Sequence, residues 1–293
     1  MEVVIFGAGS LGSLVGGLCA REHRVTLVGH DPHIAAVRES GLAVEGAVEC
    51  TTQPDARTTV PDRADLALVT VKSFDTPAAG RALADCGPDV TCSLQNGLGN
   101  EATLDTYLDT VLAGTCTYGA RLAAPGRVEC TGIGEISLGA TDGGHSAAAE
   151  RAVEALRTAG IETELSERMP KRLWRKLAVN AGINPTTALA GVSNGALADG
   201  PLHEVASEAA REVARVARGR GIDLTGREVV AALESVVAAT ADNTSSMAQD
   251  LQEGRRTEID AINGAVVERA ESQVPVNRTL AALVRGRSSS QSM

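Results

Sequence analysis

Between Trp174 and Pro185 the chain reads Trp174-Arg175-Lys176-Leu177-Ala178-Val179-Asn180-Ala181-Gly182-Ile183-Asn184-Pro185, so Lys176, Asn180 and Asn184 recur at a strict four-residue interval. On a helix that interval places all three polar tips on one face. Only 3 of the 27 basic residues are lysines, Lys72, Lys171 and Lys176, so the bias towards arginine spares these positions. A lysine can lose its proton when buried, and an arginine cannot. A titratable cation beside two amides is the arrangement expected of a catalytic acid acting on an oriented substrate. Further along, Glu258 adjoins the stripe Ile259, Ile262 and Val266. That puts a carboxylate at the edge of a buried helical face, where it needs a partner.

A second chemical motif lies near the N-terminus. Val3 to Phe6 reads as a strand and runs directly into Gly7-Ala8-Gly9-Ser10-Leu11-Gly12, a G-x-G-x-x-G pattern that opens a helical run. There Gly7 allows a tight turn, Gly9 lets backbone amides approach a pyrophosphate, Gly12 lets the helix pack close to the strand, and the helix N-terminus adds positive potential. In a chain with 31 glycines the bare pattern could arise by chance, but the strand before it and the helix after it argue otherwise. Flavin and methyl-donor enzymes use similar loops, so the motif specifies a dinucleotide-like ligand rather than a particular one. The choice of cofactor rests on the end of the second strand, where Val25-Thr26-Leu27-Val28-Gly29 meets His30-Asp31. A carboxylate there favours NAD through the ribose hydroxyls, and a cation favours the extra phosphate of NADP. Asp31 could serve the ribose or cap the next helix, while a partly protonated His30 could face a phosphate.

Two loops follow predicted strands at their C-terminal ends, where ligands of open α/β sheets bind. They are Val71-Lys72-Ser73-Phe74-Asp75-Thr76 and Leu94-Gln95-Asn96-Gly97-Leu98-Gly99-Asn100. Lys72 is a candidate for a phosphate or a substrate carboxylate, against the plainer alternative of an exposed lysine beside Asp75. Asn96 is a candidate ligand, against the alternative that Asn96-Gly97 is only a turn.

These residues need elements to hold them. Strand candidates at Val3 to Phe6, Val25 to Val28, Leu66 to Val71 and Val90 to Leu94 alternate with helical patterns such as Leu11, Leu14, Val15 and Leu18, as in a parallel sheet with crossover helices. From about Arg127 the pattern predicts a hairpin, Arg127 to Cys130 with Glu135 to Leu138, then a helix from Ser146 to Ala159. Beyond that no strand is read. Pro170 to Ala190, His203 to Gly221, Arg227 to Ala241 and Thr257 to Glu271 read as successive helices, and the tail Arg285-Gly286-Arg287-Ser288-Ser289-Ser290 reads as frayed. The expectation is an α/β N-terminal Rossmann-type domain, doubly wound with a mainly parallel sheet, over residues 1–166. An all-α C-terminal domain, assigned to substrate and catalysis, covers residues 167–293.

Composition narrows the function. With 293 residues, 43% of them hydrophobic and only 2% aromatic, the chain can bury a large core built from aliphatic side chains. A net charge of −10 argues against a nucleic acid or an anionic membrane as partner. No apolar run approaches a membrane span, and Met1 leads straight into Glu2-Val3-Val4-Ile5-Phe6 without a targeting signal. The six cysteines, all in the first half and without a C-x-x-C pair, read as buried free thiols in a reducing cytosol. The expectation is a soluble cytoplasmic protein with no metal.

Taken in order, these motifs resemble the ketopantoate reductase (2-dehydropantoate 2-reductase) family. The resemblance rests on Gly7-Ala8-Gly9-Ser10-Leu11-Gly12, Lys72, Gln95-Asn96-Gly97, and Trp174-Arg175-Lys176-Leu177-Ala178-Val179-Asn180 with Ile183-Asn184-Pro185-Thr186-Thr187-Ala188. It continues through Ser245-Ser246-Met247-Ala248-Gln249-Asp250, Thr257-Glu258-Ile259-Asp260 and Pro275-Val276-Asn277. The lysine block and the last two acidic motifs are specific; the glycine motif is not. The resemblance implies reduction of the 2-oxo group of ketopantoate, on the way to pantothenate and coenzyme A. NADP(H) is the favoured cofactor and NAD(H) the alternative, because His30 stands where the family usually has arginine. It implies that Lys176 is the general acid, that Glu258 bonds the nascent hydroxyl, and that Ser246 and Asn184 hold the carboxylate or distal hydroxyl. Asn96 and Asn180 would position substrate beside the nicotinamide. The oligomeric state is not read from the sequence, and a homodimer is left open. An architectural Lys176–Glu258 ion pair would explain two charges but not Asn180, Asn184 and Ser246. The other readings kept open are a reductase of another branched 2-oxo acid and a nonenzymatic NADP(H) sensor, which would have no use for Lys176 or Glu258.

Overall fold

The computed structural model describes residues 1–291. The chain forms two compact units: Met1–Gln95 with Gly99–Met169, and Asn96–Leu98 with the residues from Pro170 onward.

The first unit begins β1 (Glu2–Phe6), α1 (Ser10–Cys19), β2 (Arg24–Val28), α2 (His33–Ser40), β3 (Leu42–Gly46), β4 (Cys50–Thr52) and β5 (Asp55–Arg57). It continues with β6 (Leu66–Val69), α3 (Thr76–Cys86), β7 (Val90–Ser93), α4 (Asn100–Leu104), β8 (Val111–Cys116) and β9 (Gly119–Ala124). It ends with β10 (Arg127–Gly132), β11 (Ile136–Ala140), α5 (Ala147–Thr158) and β12 (Thr163–Leu165). Eight strands form one sheet in the order β12-β11-β8-β7-β6-β1-β2-β5, parallel except where β11 meets β8. The β-branched run Val3-Val4-Ile5 is buried on both faces, as a central parallel strand requires. The chain steps from β1 to β2 on one side and later returns to β6 on the other, so the loop after β1 sits at the switch point where such sheets bind ligands.

The predicted hairpin is wrong. β10 pairs with β9 and β3, whereas β11 pairs with β8 and β12. The two runs belong to different sheets, because Gly132-Ile133-Gly134 carries the chain out of one and into the other instead of turning it back. The smaller sheet, β4-β3-β10-β9, shares one core with α1 through Leu42, Val44, Val128 and Cys130 against Leu14, Val15 and Leu18.

The second unit holds α6 (Met169–Ala190), α7 (Gly200–Gly219), α8 (Gly226–Ala239), α9 (Ser246–Gln252), a π-helical turn at Asp260–Gly264, α10 (Ala265–Arg269) and α11 (Pro275–Gln291). No strand occurs in it among the described residues, and its core is aliphatic around Trp174, Leu177, Val213, Leu233 and Val266. α8 opens with a reciprocal Thr225–Glu228 capping box, and Lys171 Nζ reaches the same carboxylate at 2.7 Å. Those bonds hold the Glu228 pKa down at about 2.

The tail reading is also corrected: α11 runs through Arg285, Gly286, Arg287 and Ser288. Arg287 donates to the carbonyls of Ala188 and Leu189 at the C-terminus of α6, and Arg285 donates to Asp260. Polar composition hid a helix tied down at its solvent face. Among the described residues, no helix is long and apolar enough to cross a membrane.

Candidate active site

In the first unit, the loop after β1 has the geometry of a phosphate cradle. The N–H groups of Gly7 and Ala8 both donate to Val28 O, and Gly9 N–H turns back onto Gly7 O at 2.7 Å. The first helical bond of α1 is Ser13 N–H to Gly9 O, and no side chain caps the helix. The N–H groups of Ser10, Leu11 and Gly12 therefore point outward at the positive end of α1. A Cβ at Gly12 would collide with Gly7 O and stand 2.6 Å from Thr70 Oγ1, whereas one at Gly9 would meet nothing within 4 Å. Gly12 is thus needed for packing, and Gly9 leaves open space beside the amides. These residues fit a pyrophosphate.

The neighbouring loops are joined by polar groups, buried at Thr76, Gln95 and Asn100, whose bonds to one another were not read from the sequence. Thr70 Oγ1 donates to Gly7 O, and Gln95 Nε2 donates to Val71 O and to Thr76 Oγ1, which in turn donates to Asn100 Oδ1 at 2.9 Å. Glycine loop, Lys72 loop and the loop after β7 are thereby fixed together at the C-terminal ends of β1, β6 and β7. Lys72 is half-buried at the head of a short 3-10 turn, Ser73–Asp75. His30 and Asp31 are exposed beyond β2. The cap position of α2 is Pro32, so the helix-cap alternative for Asp31 does not hold. Beside them, Gly29 N–H donates to Arg57 O, which places a half-exposed arginine at the same sheet end. Sequence reading missed Arg57 because β5 is only three residues long.

His33 is buried beneath this end. Its Nδ1 accepts from Gly126 N–H at 3.0 Å, which assigns the proton to Nε2 and makes that nitrogen the donor to Ser13 Oγ at 2.9 Å. Burial lowers its pKa below the usual histidine value.

In the second unit, α6 is helical throughout the Lys176, Asn180 and Asn184 interval, so the three share one face as the spacing predicts. Lys176 and Asn180 are half-buried and Asn184 is buried. Asn96, Gly97 and Leu98 belong to this unit through backbone contact with the π turn: Leu98 N–H donates to Ala261 O at 3.2 Å. Gly97 has φ +89°, and a Cβ on it would lie 2.6 Å from Ala261 O. Only glycine allows that approach. The contact delivers Asn96 Nδ2 to Glu258 Oε2 at 3.2 Å, and Asn180 Nδ2 lies 3.5 Å from Asn96 Oδ1. The carboxylate that the sequence says must find a partner finds Asn96, so Asn96-Gly97 is more than a turn.

Thr187, on the next turn of α6, bonds Ser245 Oγ at 2.7 Å, and Ser245 caps α9 through Ala248 N–H. That tie fixes the start of α9, where Ser246 is the first residue and is exposed. At its other end Asp250 is buried and paired with Arg255 at 3.1 Å, which shapes the chain into Thr257-Glu258. The structure thus brings together Asn96, Asn180 and Glu258 directly, and sets Lys176, Asn184 and Ser246 on the elements that carry them.

The ketopantoate reductase PanE/ApbA family matches residues 3–143, and the family's C-terminal region matches residues 168–288. A 2-dehydropantoate 2-reductase of Halobacterium salinarum is 46% identical over 97% of this chain and 98% of its own. Those of Archaeoglobus fulgidus and Pyrococcus horikoshii are 41% identical (97% of each chain) and 38% identical (99% of this chain, 98% of the relative). Among solved structures, a PanE/ApbA family ketopantoate reductase from Ralstonia eutropha JMP134 superposes with a TM-score of 0.89 at 31% identity, covering both chains fully. A D-mandelate dehydrogenase with NADH and anilino(oxo)acetate superposes at 0.93 with 26% identity, again over both full chains. A Rossmann-type sheet with its glycine loop, a helical unit carrying the lysine and amide face, and relatives matched end to end place this chain in the ketopantoate reductase family.

Proposed function

We propose that the chain reduces 2-dehydropantoate to pantoate, with NADPH as the favoured reductant. The observation that carries this is the seating of Asn96 against Glu258, in the unit whose α6 face presents Lys176, Asn180 and Asn184. The outward amides of Ser10, Leu11 and Gly12 would hold the cofactor's pyrophosphate, and a bound nicotinamide would supply the hydride. Hydride addition to a 2-oxo acid leaves negative charge on the carbonyl oxygen, and a donor already in place must meet it. Lys176 donates the proton to that oxygen. Glu258, oriented by Asn96, accepts a hydrogen bond from the hydroxyl as it forms. Asn180 holds the oxo-acid end, and Asn184 with Ser246 holds the carboxylate or the distal hydroxyl. Preference for NADPH is modest in this reading, because the groups near the end of β2 are His30, which lacks an arginine's two-pronged donors, and Arg57, shared with Asp55 at 2.6 Å.

A second reading, reduction of a bulkier 2-oxo acid, is supported by the likeness to the D-mandelate dehydrogenase. The identity of 38–46% with curated 2-dehydropantoate 2-reductases favours the first. The mechanism is tested by Lys176→Ala, which should lower kcat by roughly 10²–10⁴-fold with NADPH affinity and thermal midpoint nearly unchanged. Turnover near the wild-type rate in that variant ends the general-acid assignment.

A further inference from the structure

Pro185 stands inside α6, one residue after Asn184. A proline has no N–H to give, so the carbonyl four residues earlier, Ala181 O, loses its helical donor. Asn263 takes it up: its Nδ2 donates to Ala181 O at 3.0 Å and to Asn277 Oδ1 at 2.9 Å. Asn263 is fully buried and lies in the π turn that follows Glu258 and grips the Asn96 loop through Ala261. Its orientation is fixed from behind, because Asn277 Nδ2 donates to Ala209 O and to Glu212. The Glu212 carboxylate also receives the N–H groups of Val276 and Asn277 at the start of α11. Both amide hydrogens of Asn263 are thus used, while its Oδ1 is buried with no partner among the described residues. Turning the amide over would gain nothing for Ala181.

We infer that Asn263 is a positioning residue for the reduction: it locks the proline turn of α6, which carries Asn180 and Asn184, to the π turn that sets Glu258 and Asn96. A helix break at the substrate-facing turn and a helix bulge beside the carboxylate are complementary irregularities, each placed where the other needs it. The inference rests on the reading of Lys176, Asn180, Asn184 and Glu258 given above.

The test is a double-mutant cycle. Asn263→Ala should lower kcat for 2-dehydropantoate by about 10²-fold, the scale of a misplacement near 1 Å, with the NADPH dissociation constant within about twofold of wild type. Pro185→Ala restores an N–H able to reach Ala181 O, so in that background removing Asn263 should cost about tenfold less than it does alone. Val284→Ala, a core truncation away from these groups, should lower the thermal midpoint without lowering kcat, which separates positioning from loss of stability. If Asn263→Ala does not fold, Asn263→Asp, which keeps the shape and loses the donor, replaces it in the cycle. Additive effects of the Asn263 and Pro185 changes, or a kcat that falls with the thermal midpoint in Val284→Ala as it does in Asn263→Ala, would overturn the inference. A wild-type protein inactive on 2-dehydropantoate would instead overturn the proposed function.

Discussion

Replacing Gly97 by alanine should separate the two jobs that its loop performs. The residue has φ +89°, a region that costs an L-residue roughly 1–2 kcal/mol. The new methyl would also lie 2.6 Å from Ala261 O, a backbone atom that no rotamer change can move aside. The loop must shift, and the 3.2 Å bond from Asn96 to Glu258 is the contact in its path. Leaving a buried carboxylate short of one donor costs about 1–3 kcal/mol. The strain falls on folding and the lost bond on the reacting geometry, so at 1.4 kcal/mol per decade the second contributes about 5- to 10²-fold in kcat/KM. Asn96→Ala removes the same bond without backbone strain, so it should lose kcat/KM to a similar extent while melting closer to wild type. Steady-state kinetics and thermal midpoints on both variants decide the matter. A Gly97→Ala protein with wild-type kcat/KM would show that the backbone contact does not set the Asn96–Glu258 geometry.

The glycine loop makes a paired prediction: Gly9→Ala should fold normally, since its Cβ meets nothing within 4 Å, yet lose at least about tenfold in nucleotide affinity by filling space at the helix N-terminus. Gly12→Ala should lower both affinity and thermal midpoint, and equal melting of the two variants would contradict the packing argument. His33 has a folded pKa lowered by burial, so the unfolded chain binds its proton first. Its contribution to stability is full above the unfolded value of about 6.5 and is lost as pH falls through the folded value; denaturant unfolding should show this, and His33→Gln should flatten that dependence below pH 6.5. His30→Arg should raise the preference for NADPH over NADH, because a guanidinium can hold a phosphate with two parallel donors and an imidazole cannot. An unchanged ratio would move attention to Arg57.

How much of this was legible beforehand follows from the range of the interactions involved. The strand, glycine turn and helix at residues 3–18 and the four-residue interval on α6 are local patterns, and both appear as read. The supports are not local. Asn263 meets Ala181 and Gln95 meets Val71 across the chain, so no window of sequence shows them. The strand pairs of the smaller sheet are set by β3 and β10, more than 80 residues apart in the register Arg127↔Ala43, which is why Arg127 to Leu138 looked like a hairpin. The same limit applied at the C-terminus, where Ser and Arg composition suggested fraying while Arg287 and Arg285 bond to distant groups. The lone signal for Asn263 in the sequence was Pro185 itself, since a proline inside a helical run leaves a carbonyl to be satisfied.

The proposed roles of Lys176, Asn180, Asn184, Ser246, Glu258 and Asn96 converge on the reduction of a small 2-oxo acid bearing an extra hydroxyl. Its most direct test is NADPH oxidation by the purified chain with ketopantoate, pyruvate and 2-oxoglutarate, followed at 340 nm under identical conditions. The expected kcat/KM for ketopantoate is far above the other two, and equal turnover of all three acids would rule out the substrate assignment.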